Sequence, residues 1–257
     1  MSARAISWNV NGLRAVHRHE IFLPFLKDES PDILCLQEIK SLEEQLPPEL
    51  IQVDGYHAYF NSAERKGYSG VAIYTKQEPV EVVYGLGIPE FDAEGRVITA
   101  VYPTFTLMNI YYPNGQGSPD RLDFKMRFYD AFLNVADGRV KDGQNLLVCG
   151  DVNTAHTEGD IARPKENSKT SGFLPTERAW MDEFLSHGYS DTLRMFDDTP
   201  GIYSYWDMKS RARDRDIGWR IDYFFVSDSF KANVTNATVL RDQLGSDHCP
   251  ISIAFDT

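Results

Sequence analysis

Nine short apolar runs recur along the chain, and each is rich in β-branched or aromatic residues. They are AISWNV, DILCLQ, YHAYF, GVAIYT, RVITAVY, TLMNIYY, NLLVCGD, WRIDYFFV and PISIAF. Runs of this kind, bounded by turn residues, are typical of β-strands. The pattern therefore predicts a protein with many strands.

Two amphipathic segments lie between these runs. The first begins at Ser118 and Pro119, which suit the N-cap and first helical positions, and its apolar residues continue to Val135. A second helix is predicted over 176–187, with Gly188 ending it. Many strands and few helices favour an α/β fold in which two sheets pack together, helices flank them, and loops at one edge carry the chemistry.

The chain of 257 residues has no internal repeat and no long Pro/Gly/Ser linker, so residues 1–257 are expected to form a single catalytic domain. The longest irregular stretch, about 154–174, is polar and charged, and loops of that length are usually functional or disordered. A charged-then-apolar leader is missing, and no run reaches the roughly 18 apolar residues of a membrane span. We therefore expect a cytoplasmic protein.

Composition changes this picture in two ways. Cys35, Cys149 and Cys249 occupy apolar contexts without CxxC spacing, which predicts reduced core residues. The net charge of −12 is unfavourable for a nucleic-acid partner, because affinity for phosphates comes largely from Lys and Arg. A local basic surface is needed if the partner is DNA.

Four polar clusters follow or interrupt predicted strands: WNVNG, LQE, GDVN and SDHCP. They contribute Asn9, Asn11, Glu38, Asp151, Asn153, Asp247 and His248. Singly, GDVN could be a turn, Glu38 a helix cap and His248 a structural histidine. Together they supply carboxylates and amides without a trio of thiols or imidazoles, which favours Mg²⁺ over Zn²⁺. The combination predicts metal-assisted hydrolysis.

The motifs LQE, GDVN and SDHCP resemble the endonuclease/exonuclease/phosphatase superfamily, which includes inositol phosphatases, sphingomyelinases and deoxyribonuclease I. Longer segments resemble its exonuclease III branch of apurinic/apyrimidinic (AP) endonucleases: WNVNGLRA, KGYSGVAIY, NIYYPNG, ARPKENSKTSGFLPTERAW and RARDRDIGWRIDYFFVS. The resemblance extends from about Ile6 to Pro250. It implies a four-layered α-β-β-α sandwich with two packed mixed sheets.

The same resemblance implies a DNA repair enzyme that uses Mg²⁺, for which Mn²⁺ can substitute, to hydrolyse the phosphodiester 5′ to an abasic site in duplex DNA. An accompanying 3′→5′ exonuclease or 3′-end trimming activity is expected, and uracil-directed nicking occurs in some archaeal relatives. The expected partner is double-stranded DNA with abasic or other damaged sites, bound by a monomer away from any membrane.

Residue by residue, the resemblance implies a metal site formed by Glu38, Asn11 and Asp247, with Glu38 as the principal ligand. Some relatives have Asp at position 11. The implied catalytic residues are Asp151 on the attacking water, Asn153 and Asn9 on water and phosphate, Tyr111 on the phosphate or leaving oxygen, and His248 paired with Asp222. Whether Asp151 or His248 is the general base stays open at this point.

Cations and aromatics alternate between Trp206 and Arg220, as in a groove that follows a DNA backbone, although a solvated hairpin with core aromatics would look similar. The predicted DNA-binding residues are Lys209, Arg211, Arg213, Arg215, Arg220, Arg163, Lys165 and Asn114. By resemblance, Tyr205, Trp219 and Ile221 form the pocket for the base-free sugar.

Two other functions fit parts of the sequence. A phosphatase or lipid phosphodiesterase on the same scaffold needs the metal cluster but has no use for the arginine-rich stretch. A binding module with a decayed active site is disfavoured, because the full set of catalytic residues is present.

Overall fold

The computed structural model describes residues 2–257, in which the strands form two six-stranded sheets. The strands are β1 (Ser2–Asn9), β2 (Ile33–Gln37), β3 (His57–Asn61), β4 (Val71–Thr75), β5 (Glu81–Tyr84), β6 (Val97–Val101), β7 (Thr106–Tyr111), β8 (Leu146–Asp151), β9 (Tyr189–Asp191), β10 (Asp222–Ser227), β11 (Val234–Val239) and β12 (Ile251–Asp256). The first sheet has the order β11-β12-β1-β2-β4-β3, and the second has the order β5-β6-β7-β8-β10-β9.

Helices connect these strands. The α-helices are α1 (Leu13–Arg18), α2 (Phe22–Glu29), α3 (Pro48–Ile51), α4 (Pro89–Asp92), α5 (Pro119–Lys141), α6 (Pro164–Asn167) and α7 (Pro175–Ser186). Short 3₁₀ turns lie at Glu43–Gln45, Glu158–Asp160, Leu193–Met195, Arg213–Arg215 and Lys231–Asn233.

Apolar cores separate four layers. Cys35 of β2 and Cys149 of β8 belong to the core that the two sheets share. Phe132 of α5 and Phe184 of α7 pack on the outer face of the second sheet, and Phe22 of α2 packs on the outer face of the first. Helices that bury one apolar face against a sheet produce the order helix, sheet, sheet, helix. The predicted fold class is therefore confirmed.

The strand directions bring several strand ends to one edge of the sandwich. β1 runs parallel to β2, and β7 runs parallel to β8, so the carboxyl ends within each pair coincide. β10 is antiparallel to β8 and places Asp222 opposite Asp151. β12 is antiparallel to β1, so the segment that enters β12 lies at the same edge. This edge therefore collects polar residues from both sheets.

The two predicted helices are present. In α5, Ser118 Oγ accepts a hydrogen bond from the Arg121 amide at 3.2 Å, as an N-cap does. α7 begins one residue earlier than predicted and ends one residue earlier, at Ser186. Gly188 follows with a φ of +91°, a conformation that favours glycine.

Three strands were not predicted: β5, β9 and β11. The first two are only 4 and 3 residues long. β11 has a bulge between Val234 and Asn236, so its burial does not alternate regularly along VTNATV. Strands of this kind lack the sustained apolar pattern from which the other nine were predicted.

The three cysteines are buried and unpaired, as the sequence predicted. None of the helices within residues 2–257 combines the length and the apolar character needed to cross a bilayer.

Candidate active site

Most residues of the four polar clusters line one cavity of about 540 Å³. They are Asn11, Glu38, Asp151, Asn153, Asp247 and His248. Asn9 is fully buried, and its Nδ2 donates to Glu38 Oε1 at 2.9 Å and to Asp151 Oδ2 at 2.8 Å. Asn9 therefore joins two carboxylates and is not among the residues that line the cavity, and its contact with water or phosphate stays a prediction.

Three of these residues have left-handed backbone conformations. The φ values are 48° for Asn11, 52° for Glu38 and 56° for Asn153, and each residue lies within two positions of a strand end. Non-glycine residues seldom adopt this conformation, and those that do are concentrated at functional sites. The sharp turns direct three side chains from different strands into the same cavity.

Glu38 lies at the centre of a charged cluster. Its Oε2 is 2.8 Å from Lys40 Nζ, and the same ammonium bonds to Asn11 Oδ1. Asn11 Nδ2 donates to Asp247 Oδ1 at 3.0 Å. Burial raises the pKa of Glu38, but the Lys40 charge and the Asn9 hydrogen bond outweigh it and hold that pKa below its ordinary value. Glu38 is therefore held in its charged form.

The donor set fits a hard divalent cation. Glu38 and Asp151 place carboxylate oxygens within 4.8 Å of each other. Carboxylate and amide oxygens are ligands that Mg²⁺ accepts, whereas structural zinc sites usually contain several thiolates or imidazoles. The Lys40 ammonium already contacts oxygens of Glu38 and Asn11, so these oxygens are arranged around positive charge.

Asp151 is 1% exposed and is held at both carboxylate oxygens. Its Oδ1 accepts from the Asn153 amide at 2.8 Å, and its Oδ2 accepts from Asn9. Burial raises the pKa of Asp151 to about 7; the His248 charge opposes this shift, and a neighbouring carboxylate, Asp222, adds to it. A carboxylate in this setting has a fixed orientation and increased basicity.

His248 lies between two carboxylates. Its Nδ1 is 2.8 Å from Asp222 Oδ2, and its Nε2 is 3.8 Å from Asp151 Oδ2. Ser204 Oγ donates to the same Asp222 oxygen at 2.6 Å. Burial lowers the pKa of His248, but Asp222 and Asp151 outweigh it and raise that pKa to about 10. The imidazole is therefore held cationic, with its ring orientation fixed by Asp222.

Tyr111, at the end of β7, lines the cavity and is held by Arg96, which the sequence analysis did not single out. Arg96 Nη1 donates to the Tyr111 carbonyl at 2.8 Å, and its guanidinium lies 4.6 Å from the Tyr111 ring centre. Burial, together with the Glu38 charge, raises the pKa of Tyr111 well above its ordinary value. The Tyr111 hydroxyl therefore remains protonated and can donate a hydrogen bond.

An apolar wall borders these polar groups. Tyr205, Trp219 and Ile221 all line the cavity and pack together with Phe173. Gly172 has a φ of +96°, and a Cβ there would lie 3.0 Å from Trp219 Cζ3. Glycine at this position allows the loop to lie against the indole. The predicted pocket residues are thus brought together on one side of the cavity.

A buried ion pair supports two loops of the site, and the sequence analysis missed it. Lys125 and Glu177 are both fully buried, with Nζ and Oε1 2.6 Å apart. Lys125 also donates to the Asn153 carbonyl at 2.8 Å, and Glu177 accepts from the Gly172 amide at 2.6 Å. The available signal was a lysine in line with the apolar stripe of α5, one turn before Phe128 and Tyr129.

Most of the predicted DNA-binding residues face solvent. The exposed cations are Arg163, Lys165, Lys209, Arg211 and Arg215. Asn114 lines the cavity, and its Nδ2 donates to Asn153 Oδ1 at 3.1 Å. Asp207, immediately before the segment that holds Lys209 and Arg211, also lines the cavity, so these cations lie close to its rim.

Two residues that were predicted to contact DNA, Arg213 and Arg220, are half-buried and buried. Arg213 is half-buried: its guanidinium packs 4.7 Å from the Trp206 ring centre and donates to the Gln243 carbonyl at 2.8 Å. Arg220 is 1% exposed, and it binds Asp160 and Asp191 inside the protein. A guanidinium enclosed by carboxylates cannot reach a phosphate, so Arg220 is a structural residue here.

Comparison with known proteins adds four similarities. A model of the Endonuclease/Exonuclease/phosphatase family matches residues 6–248. The chain is 44% identical to the exodeoxyribonuclease of Bacillus subtilis (strain 168), over 98% of this chain and 99% of the relative. It is 38% identical to the DNA-(apurinic or apyrimidinic site) endonuclease of Dictyostelium discoideum, over 98% and 70%. A Neisseria 3′ phosphatase structure bound to a product DNA hairpin matches with a TM-score of 0.90 at 28% identity, over 99% and 100%.

Proposed function

The chain belongs to the endonuclease/exonuclease/phosphatase family, in its exonuclease III branch, and we propose that it is a DNA repair nuclease that cuts duplex DNA on the 5′ side of abasic sites. The observation that carries this proposal is a single cavity with carboxylates, a cationic histidine and an apolar wall. Hydrolysis at a phosphate needs the carboxylates and the cationic histidine. Recognition of a sugar without its base needs the apolar wall.

We propose that Mg²⁺, or Mn²⁺ in its place, is held by Glu38 with Asn11 and Asp247 as direct or water-mediated ligands. When bound, the ion neutralises charge that develops on the phosphate oxygens. His248 supplies a second positive group on the same phosphate. Asp222 fixes the orientation of the His248 ring.

Asp151 is the residue we assign to the attacking water. Its fixed orientation suits in-line attack, which needs the water and the leaving oxygen on opposite sides of phosphorus. The two carboxylates beside His248 favour its cationic form, which suits contact with phosphate and leaves Asp151 to act on the water. Tyr111 then donates a hydrogen bond to the phosphate or the leaving oxygen. Asn153 Nδ2 donates to the Tyr112 carbonyl at 2.9 Å and to Asp151 Oδ2 at 3.3 Å, and we propose that it exchanges the longer bond for one to the water or the phosphate.

The exposed cations near the cavity rim provide the local basic surface that the net charge of −12 made necessary. We propose that they contact the phosphates of a damaged duplex bound by a monomer with one catalytic domain over residues 1–257.

The reduced cysteines suit a reducing compartment, and the cytoplasm is proposed on that basis. A 3′→5′ exonuclease or 3′-trimming activity and uracil-directed nicking are further activities proposed for the same cavity.

Labelled substrates test the proposal directly. Purified protein with Mg²⁺ is given duplexes that carry an abasic analogue, a uracil, a recessed 3′ end or no lesion, and separately an inositol phosphate. We expect the abasic duplex to be cut fastest, leaving a 3′-hydroxyl. Preference for the inositol phosphate would favour the phosphatase alternative, against which the nuclease relatives already argue.

Trp219→Ala is expected to change selectivity. Enlarging the pocket lets nucleotides that keep a base enter, so relative nicking of undamaged duplex rises while abasic incision falls through lost packing around the sugar. The measurement is the ratio of abasic to undamaged cleavage, taken together with the thermal midpoint of the variant.

Trp206→Ala is the matched control, because Trp206 is a buried tryptophan that does not line this cavity. Loss of a core tryptophan costs about 3–5 kcal/mol and depresses every activity together. If Trp219→Ala behaves as Trp206→Ala does, with a lower midpoint and a constant ratio, the pocket does not act as a steric sieve.

A further inference from the structure

Arg220 lies in a buried network of charges. Its Nε donates to Asp160 Oδ1 at 2.7 Å, and its Nη1 is 2.7 Å from Asp191 Oδ2. Its guanidinium also packs 4.4 Å from the ring centre of Tyr223. Two of the three guanidinium nitrogens are therefore directed to carboxylates. Among residues 2–257, nothing accepts a hydrogen bond from the third nitrogen, Nη2, although it is buried.

A second buried atom, Asp222 Oδ1, also has no hydrogen-bond partner among the described residues. Asp222 Oδ2 accepts from His248 and Ser204, but Asp222 Oδ1 has no donor among the described residues. Asp191 Oδ2 is close to Arg220 Nη1 without hydrogen-bond alignment. A buried polar atom left without a partner is destabilising, so such atoms in native proteins are usually satisfied by ordered water.

One small cavity brings these three residues together. Asp191, Arg220 and Asp222 all line it, and the rest of its wall includes apolar side chains such as Ala237 and Ile253. Its volume is about 10 Å³, close to the roughly 10–15 Å³ that a single water molecule requires. An unpaired donor, an unpaired carboxylate oxygen and a poorly aligned one provide enough polar partners to hold one water.

We propose that one water molecule bound in this cavity links Arg220 Nη2 to Asp222 Oδ1, which makes Arg220 a positioning residue for the Asp222–His248 pair. The water restrains the Asp222 oxygen that faces away from the histidine. With Ser204 restraining the other oxygen, the carboxylate cannot rotate, and the imidazole keeps one orientation towards Asp151. Asp160, from a 3₁₀ turn, and Asp191, from β9, in turn hold the guanidinium in place, so they also restrain the Asp222–His248 pair.

The water itself is the first test. A crystal structure that resolves ordered solvent is expected to show one water within hydrogen-bond distance of Arg220 Nη2 and Asp222 Oδ1. A dry cavity, or a water that contacts neither atom, overturns the proposal. This test needs no catalytic activity.

Ala237→Val is the second test, because its added methyl groups enter the cavity while every residue of the ion-pair network keeps its identity. Asn236→Val is the matched control, since it introduces the same residue at an exposed position of the same strand. We expect Ala237→Val to lower kcat for abasic incision roughly tenfold, on the scale of lost supporting contacts. DNA affinity and the thermal midpoint should stay close to those of the control.

A double-variant cycle separates positioning from general destabilisation. In an Asp222→Asn background, Ala237→Val should cause little further loss, because both changes act on the same carboxylate. An equal proportional loss in both backgrounds contradicts the proposal. This kinetic arm rests on the proposed function. If the unaltered protein fails to cut abasic DNA, that function fails, whereas the crystallographic water and a shift of the His248 Nδ1 proton resonance in Ala237→Val still decide the inference.

Discussion

Asp151→Asn is expected to slow abasic-site incision by roughly 10²–10⁴-fold while affinity for the abasic duplex is retained. The substitution keeps the size of the side chain and removes its charge and basicity. Because Asp151 is 1% exposed, the variant amide stays enclosed; its oxygen can accept from only one of the two donors, Asn9 and Asn153, and it cannot deprotonate water as a carboxylate does. Single-turnover rates and equilibrium DNA binding, measured in the same buffer, separate the two effects.

Asp137→Asn is the matched control for this experiment. It removes a carboxylate that pairs with His187 on α7's C-terminal side, outside the cavity, and should leave rate and affinity unchanged. A parallel collapse of rate and affinity in Asp151→Asn would assign Asp151 to DNA or metal binding instead. If Asp151→Asn kept the full rate, another group would have to act on the attacking water.

The meeting of polar clusters at one edge could be anticipated because its signal is local. Asn11, Glu38 and Asn153 each follow an apolar run directly, and a polar residue after a buried strand must lie at a sheet edge. The sequence does not show which sheet each strand joins. That depends on pairings such as Asp222 opposite Asp151, which connect distant parts of the chain.

Arg220 shows why charge pattern alone misassigns a residue. The run from Trp206 to Arg220 is basic and aromatic, so every cation in it was expected to face DNA. Arg220 instead meets Asp160, from the irregular stretch, and Asp191, from a strand too short to predict. The burial of a charge is decided by partners far away in sequence, and a local pattern carries no information about them.

The buried ion pair of Lys125 and Glu177 could not be predicted from the sequence for the same reason. Lys125 occupies an apolar helical stripe, where a lysine usually extends its ammonium to solvent. In the structure its ammonium is enclosed by Glu177 and the loop after β8. The amphipathic pattern correctly predicted α5 but could not show that one of its charged residues fixes the backbone at Asn153.

Glu38→Gln is expected to raise the Mg²⁺ concentration for half-maximal incision by about ten- to a hundredfold. Glutamine keeps an oxygen that can accept from Asn9, so the link to Asp151 survives. The negative charge that would attract the ion is lost, and the Lys40 ammonium, 2.8 Å from Glu38 in the unaltered protein, is left without its counter-charge. Both changes weaken the binding of a divalent cation at this site. Incision is measured across a Mg²⁺ titration, and Mn²⁺ binding is followed independently by electron paramagnetic resonance.

Glu49→Gln provides the matched control, because Glu49 is an exposed carboxylate paired with His17 away from the cavity. Its Mg²⁺ titration should overlay that of the unaltered protein. At saturating Mg²⁺ the Glu38→Gln rate should recover in large part, since Asp151, His248 and Asp222 are untouched. An unchanged titration would instead place the principal metal ligand at Asp247 or Asp151, and the Glu38–Lys40 pair would then serve to hold the turn after β2.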